Sequence, residues 1–144
     1  MSLRCLPSLA AFLALASAAV AGLSPIEEKI AATVEAQAAG FAGDLERAVQ
    51  INSATENHAG IRQLADLFNA QVAAIGFATA FVEQTPATGR AGHLVAEHRG
   101  ASGRRVLLIG HLDTVLPGGN FRREGDKAWG SGTSDIKGGD LVII

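Results

Sequence analysis

An α/β fold, with helices packed on a sheet, is what this sequence predicts, and three features predict it. Ile61, Leu64, Ala65, Phe68, Val72 and Ile75 recur at steps of three and four residues, which defines one apolar helix face. Three segments downstream read as strands: "FATAFVE" at 77–83, "HLVAEHRG" at 93–100 and "RVLLIGHLD" at 105–113. In the last of these, Val106 to Ile109 are apolar at consecutive positions, the pattern of a central strand covered on both faces.

From the N-terminus, "MSLRCLPSLAAFLALASAAVAGLSP" has the parts of a signal peptide. Arg4 gives the positive start, Leu9 to Val20 the short apolar stretch, and Ala19-Val20-Ala21 a small-x-small cleavage site. The apolar stretch is shorter than a bilayer-spanning helix requires. The rival reading is a buried or interfacial N-terminal helix. Residues 1–21 are therefore read as a leader and 22–144 as the body of the protein. Export to the periplasm or the medium follows, with no membrane anchor after cleavage. Cys5, the only cysteine, leaves with the leader. No disulfide framework and no thiol nucleophile remain.

"SPIEEKIAATVEAQAAG" carries helix start signals: Ser24 as cap, Pro25 at the first position, and Glu27 placed for a capping box. Gly40 and Gly43 predict a break, with a second short helix resuming at Asp44. "NSATENHAG" reads as a polar loop, and Gly76 as the stop for the helix that carries Ile61 to Ile75. "QTPATGRAG" is a turn-rich connection between the first two strands. The short "GASG" predicts an antiparallel hairpin between the second and third. The final "DLVII" reads as a helix only just begun, too short to stand alone, so the sequence is expected to be truncated.

The formal charge is −2, with no long run of either sign. A nucleic-acid or acidic-membrane partner therefore has no electrostatic support. His58, His93 and His98 read as surface or strand-edge histidines. Arg122, Arg123 and Lys127 read as solvated charges beside a hairpin.

Two clusters carry the chemistry. In "GHLDTV", His111 and Asp113 are two apart, so on a strand they point to one side, at the edge where open α/β sheets place ligands. A neutral imidazole is a common zinc ligand, and a nearby carboxylate fixes its tautomer. The plain alternative is a surface His–Asp hydrogen bond. In "GSGTSDIKGG", Asp135 sits in a glycine-rich loop where a carboxylate suits zinc beside imidazole. A glycine turn with Asp135 as helix cap, or an anion cradle, is the alternative there, although no Walker or dinucleotide spacing occurs.

Together, "GHLDTV" and "FRREGDKAWGSGTSDIKGGD" resemble the co-catalytic di-zinc exopeptidase family of glutamate carboxypeptidase, acetylornithine deacetylase and succinyl-diaminopimelate desuccinylase. The stretch from Phe121 to Gly139 is most similar to the glutamate carboxypeptidase branch. The resemblance runs from about Asp44 to Ile144, with Ile136 where the family often has Met, Ser131 where Pro is common, and His93 where Asn is frequent.

It implies the N-terminal part of a mixed-sheet catalytic domain. It makes His111 a ligand of one zinc ion, Asp113 the catalytic carboxylate that orients it, and Asp135 the bridge between two zinc ions. The implied reaction is hydrolysis of an amide bond in a small peptide or N-acyl amino acid. The family's Glu-Glu pair, its remaining ligands and its dimerisation domain are expected beyond Ile144, so the 144 residues alone are expected to be inactive. A homodimer would form through that further domain. Two other readings are a non-catalytic remnant with the same fold and an anion- or nucleotide-binding module.

Overall fold

One uninterrupted helix, α1, spans Pro25–Gln50 in the computed structural model, which describes residues 22–84 and 86–144. The leader read at 1–21 lies outside the described residues. The Glu27 carboxylate accepts from the Ser24 backbone N–H at 2.7 Å and from its hydroxyl at 2.6 Å. The expected break at Gly40 and Gly43 does not occur. A helical glycine costs only about 1 kcal/mol, and the alanines, Leu45 and Glu46 around these two favour continuation. Only the C-terminal part of α1 is buried, through Leu45, Ala48 and Val49.

Helix α2, His58–Ala74, is capped by Asn57, whose side-chain oxygen accepts from the Gly60 N–H at 3.1 Å. Its expected apolar face is the buried one: Ile61, Leu64, Ala65, Phe68 and Val72. Gly76 follows at φ 92°, the left-handed conformation that ends a helix. Leu64, Phe68 and Ala48 form the centre of the core, with Ile51, Leu94, Leu112 and Leu141 packed against it.

Strands β1 (Ala78–Glu83) and β2 (Gly92–Glu97) pair antiparallel, Ala78 opposite Glu97 and Glu83 opposite Gly92. The connection between them includes a 3-10 turn at Pro86–Thr88. A small hairpin of β3 (Arg122–Glu124) and β4 (Lys127–Trp129) follows, with Arg122 stacked over Trp129. Helix α3, Lys137–Ile143, packs against α1.

Among the described residues, three α-helices and small antiparallel sheets make the fold α/β, but two expectations about the sheet need correction. The segment 104–113 is not a strand, and Val106, Leu107, Leu108 and Ile109 are 61–80% exposed. The hairpin therefore joins the first two strand segments, not the second and third. A strand is held by lateral hydrogen bonds and by layers on its faces. Among the described residues no strand lies alongside 104–113, and α2 packs on β1 and β2 instead. A cavity of about 750 Å³ is lined by Phe68, Val72 and Leu94 and also by Leu107 and Ile109. Among the described residues, the one parallel pairing is an isolated bridge between Ala54 and Thr114. No described helix is long and apolar enough to cross a membrane.

Candidate active site

Two segments carry the chemistry, and both are fastened to the end of α1 and the loop after it. The first follows the exposed 104–110 stretch. Thr114 donates its backbone N–H to the Ser53 carbonyl at 2.9 Å, and the Thr55 N–H donates to the Thr114 carbonyl at 3.1 Å. Buried Thr114 also donates its hydroxyl to the Leu116 carbonyl at 2.7 Å. These bonds fix the chain immediately after Asp113.

The second segment is the glycine loop 130–136. Gly132 has φ 83°, and a Cβ there would lie 2.9 Å from both Lys137 Cδ and Thr114 Cγ2, so the loop needs glycine for conformation and for closeness. Ser131 donates its hydroxyl to the Leu116 carbonyl at 2.7 Å, tying the loop to the first segment. Lys137 is wholly buried and donates Nζ–H to the Ile51 carbonyl at 2.7 Å. Burial pushes its ammonium down to about 8.

Fastened in this way, the three residues singled out from the sequence meet. His111 Nδ1 lies 2.9 Å from the backbone carbonyl of Asp113 and 3.3 Å from its carboxylate Oδ1. His111 Nε2 lies 3.0 Å from Asp135 Oδ1, across 24 residues of sequence. The other Asp113 oxygen, Oδ2, accepts from the Thr55 hydroxyl at 2.7 Å. His58, His93 and His98 make no hydrogen bond or ion pair with this group among the described residues; His98 stacks obliquely on Phe77 instead.

Both ring nitrogens of His111 face atoms that only accept, the Asp113 carbonyl at Nδ1 and the Asp135 carboxylate at Nε2. A neutral ring donates to one of them and sets its remaining lone pair against the other. With the proton on Nδ1, that lone pair faces Asp135 at 3.0 Å, an arrangement relieved by a cation between the two, either a second proton or a metal ion. For the proton, partial burial is the largest influence on His111 and pulls its pKa down. The hydrogen bonds to Asp113 and Asp135 and their charges outweigh burial and raise it above 6.5.

For a metal, one imidazole nitrogen and one carboxylate oxygen form a donor set that suits zinc. Both side chains are exposed, so the slot is open. Among the described residues no group of three His, Cys, Asp or Glu side chains is arranged to hold a metal ion. His111 and Asp135 thus fit zinc as two of its ligands.

Two neighbours of the site escaped the sequence reading. Thr55 lay in a stretch read only as polar loop, and its partner Asp113 is 58 residues away, a distance over which spacing carries no signal. Asp140 is buried with its Oδ2 unpaired, and Gly110 lies so close that a Cβ there would strike its carboxylate. Burial pushes the Asp140 carboxyl up to about 6, against a smaller pull downward from His111. An acid at the head of the apolar run "LVII" is the available sign.

No protein-family profile matches the chain. Individual relatives do. Carboxypeptidase G2 of Pseudomonas sp. (strain RS-16) is 35% identical over 107 residues, which is 69% of this chain and 25% of that protein. The putative succinyl-diaminopimelate desuccinylase DapE of Mycobacterium tuberculosis, in strains CDC 1551 / Oshkosh and H37Rv, is 55% identical over 42 residues, or 28% of this chain and 12% of the relative. The chain thus spans a quarter or less of the length of the relatives it matches. These relatives are by name a carboxypeptidase and a desuccinylase, both hydrolases. With the paired motifs around His111 and Asp135, they establish that the chain belongs to the di-zinc exopeptidase family of glutamate carboxypeptidase, acetylornithine deacetylase and succinyl-diaminopimelate desuccinylase, on its glutamate carboxypeptidase branch.

Proposed function

We propose that the protein is a zinc-dependent hydrolase of the amide bond in small peptides or N-acyl amino acids, with carboxypeptidase-like action. The observation that carries this is the meeting of His111 Nε2 and Asp135 Oδ1 at 3.0 Å, an imidazole nitrogen and a carboxylate oxygen converging as a pair of ligands for a cation. Two zinc ions, when bound, would polarise the scissile carbonyl and lower the pKa of the attacking water. His111 and Asp135 would be among the residues that hold them. With Nδ1 donating to Asp113, the Nε2 lone pair of His111 would be directed at the slot. The apolar cavity beside His111 and Asp113 gives a substrate's hydrophobic portion a water-poor surface. The matching part of carboxypeptidase G2 supports a mixed-sheet catalytic domain in the whole protein. The leader pattern of residues 1–21 supports a periplasmic or secreted location.

A second reading, a non-catalytic domain that retains the fold, is favoured by one fact: only two metal donors converge among the described residues. The complete gene product decides between them. It should contain zinc, cleave N-acyl amino acids or dipeptides, and lose that activity to a chelator. His111→Ala and Asp135→Asn should each lower kcat/KM by more than about 100-fold, beyond the loss typical of a residue that only supports a ligand. A metal-free, inactive product would establish the non-catalytic reading.

A further inference from the structure

We propose that Thr55 is a positioning residue, whose hydroxyl holds the Asp113 carboxylate so that the proton of a neutral His111 favours Nδ1, against the pull of Asp135 on Nε2, and the Nε2 lone pair is left for a metal ion. Its consequence for zinc rests on the function proposed above; the inference about the proton does not.

Two acceptors flank His111 Nδ1. The Asp113 backbone carbonyl, at 2.9 Å, is fixed by the chain. The Asp113 carboxylate, whose Oδ1 lies at 3.3 Å, sits on a side chain free to rotate unless something holds it. The Thr55 hydroxyl supplies that hold from the far oxygen, Oδ2, at 2.7 Å. A carboxylate only accepts, so the hydroxyl donates, and a hydrogen bond to a charged acceptor is among the stronger kinds. With Oδ2 tied, Oδ1 is left on the side of the imidazole.

Thr55 is itself well fixed. Its backbone N–H bonds to the Thr114 carbonyl at 3.1 Å, one residue beyond Asp113, so the hydroxyl and its target ride on the same bridge. Its β-branched side chain has few χ1 states, which keeps the hydroxyl aimed. Its second contact, with the Thr114 carbonyl at 3.5 Å, is at the limit of a hydrogen bond, so Asp113 is the main partner. The bridge uses backbone atoms, and removing the hydroxyl leaves it intact.

The test reads the tautomer directly. In the metal-free full chain, at a pH where the ring is neutral, two-bond proton–nitrogen couplings report which His111 nitrogen carries the proton. Thr55→Val keeps the shape of the side chain and removes the donor; Thr55→Ala removes it with less bulk; Thr55→Ser retains it. Both donorless variants should raise the Nε2–H form at least about threefold, the scale of one modest hydrogen bond, and Thr55→Ser should match wild type. In the zinc-loaded protein, the donorless variants should bind zinc about 10-fold more weakly.

A wild-type tautomer ratio in either folded donorless variant overturns the proposal, even if zinc binds normally. A shifted ratio in a protein that takes up no zinc upholds it while ending the hydrolase reading.

Discussion

A neutral imidazole has one N–H to give, and at His111 the carbonyl of Asp113, 2.9 Å from Nδ1, competes for it with the Asp135 carboxylate, 3.0 Å from Nε2. Such contacts are missing at Asp140, whose buried Oδ2 has no partner. Its carboxyl is therefore easier to ionise in the unfolded chain, with an ordinary pKa of 3.8, than in the fold, where burial raises it to about 6. Below the lower value both states are protonated and no penalty exists. As pH rises from about 4 to about 6 the unfolded chain ionises first, and stability falls. The loss amounts to about 3 kcal/mol. Urea denaturation of metal-free protein across this window should show that fall, and Asp140→Asn, which cannot ionise, should flatten it. The same pH slope in Asp140→Asn as in wild type would contradict the assignment.

Among the elements, α1 changes character along its length. Residues 25–39 are exposed all round, whereas Leu45, Ala48 and Val49 lie in the core. A helix without tertiary packing is marginal in water even when well capped, so the first part of α1 rests on its capping contacts and its alanines. Amide hydrogen exchange should find residues 45–50 at least about tenfold more protected than residues 29–37. Equal protection would mean that the first part is packed against something. The apolar segment 104–113 makes the complementary point. Its composition describes a buried strand, yet a strand needs partners alongside it, and none is present among the described residues.

At the scale of the whole molecule, folding brings His111 and Asp113 together with Asp135 from 24 residues away. Among the described residues no three His, Cys, Asp or Glu side chains are arranged to hold a metal ion, and the 144 residues by themselves should bind zinc weakly and release no product from N-acyl amino acids. Measurable turnover by this chain would show that the donors present suffice. Much of this arrangement was legible in the sequence. The helix face of Ile61 to Val72, the capping of α1 and the stop at Gly76 are local, set by periodicity and backbone preference within a few residues. His111, Asp113 and Asp135 were visible because their residue types and spacing match a family's chemistry. What the sequence could not determine depends on long-range contacts. The fate of the 104–113 segment, the Lys137 bond to Ile51, the Thr55 hold on Asp113 and the burial of Asp140 join residues far apart in the chain. Only tertiary structure decided them, because a hydrogen bond or a buried charge depends on which groups folding brings within a few ångströms, and no local pattern encodes that.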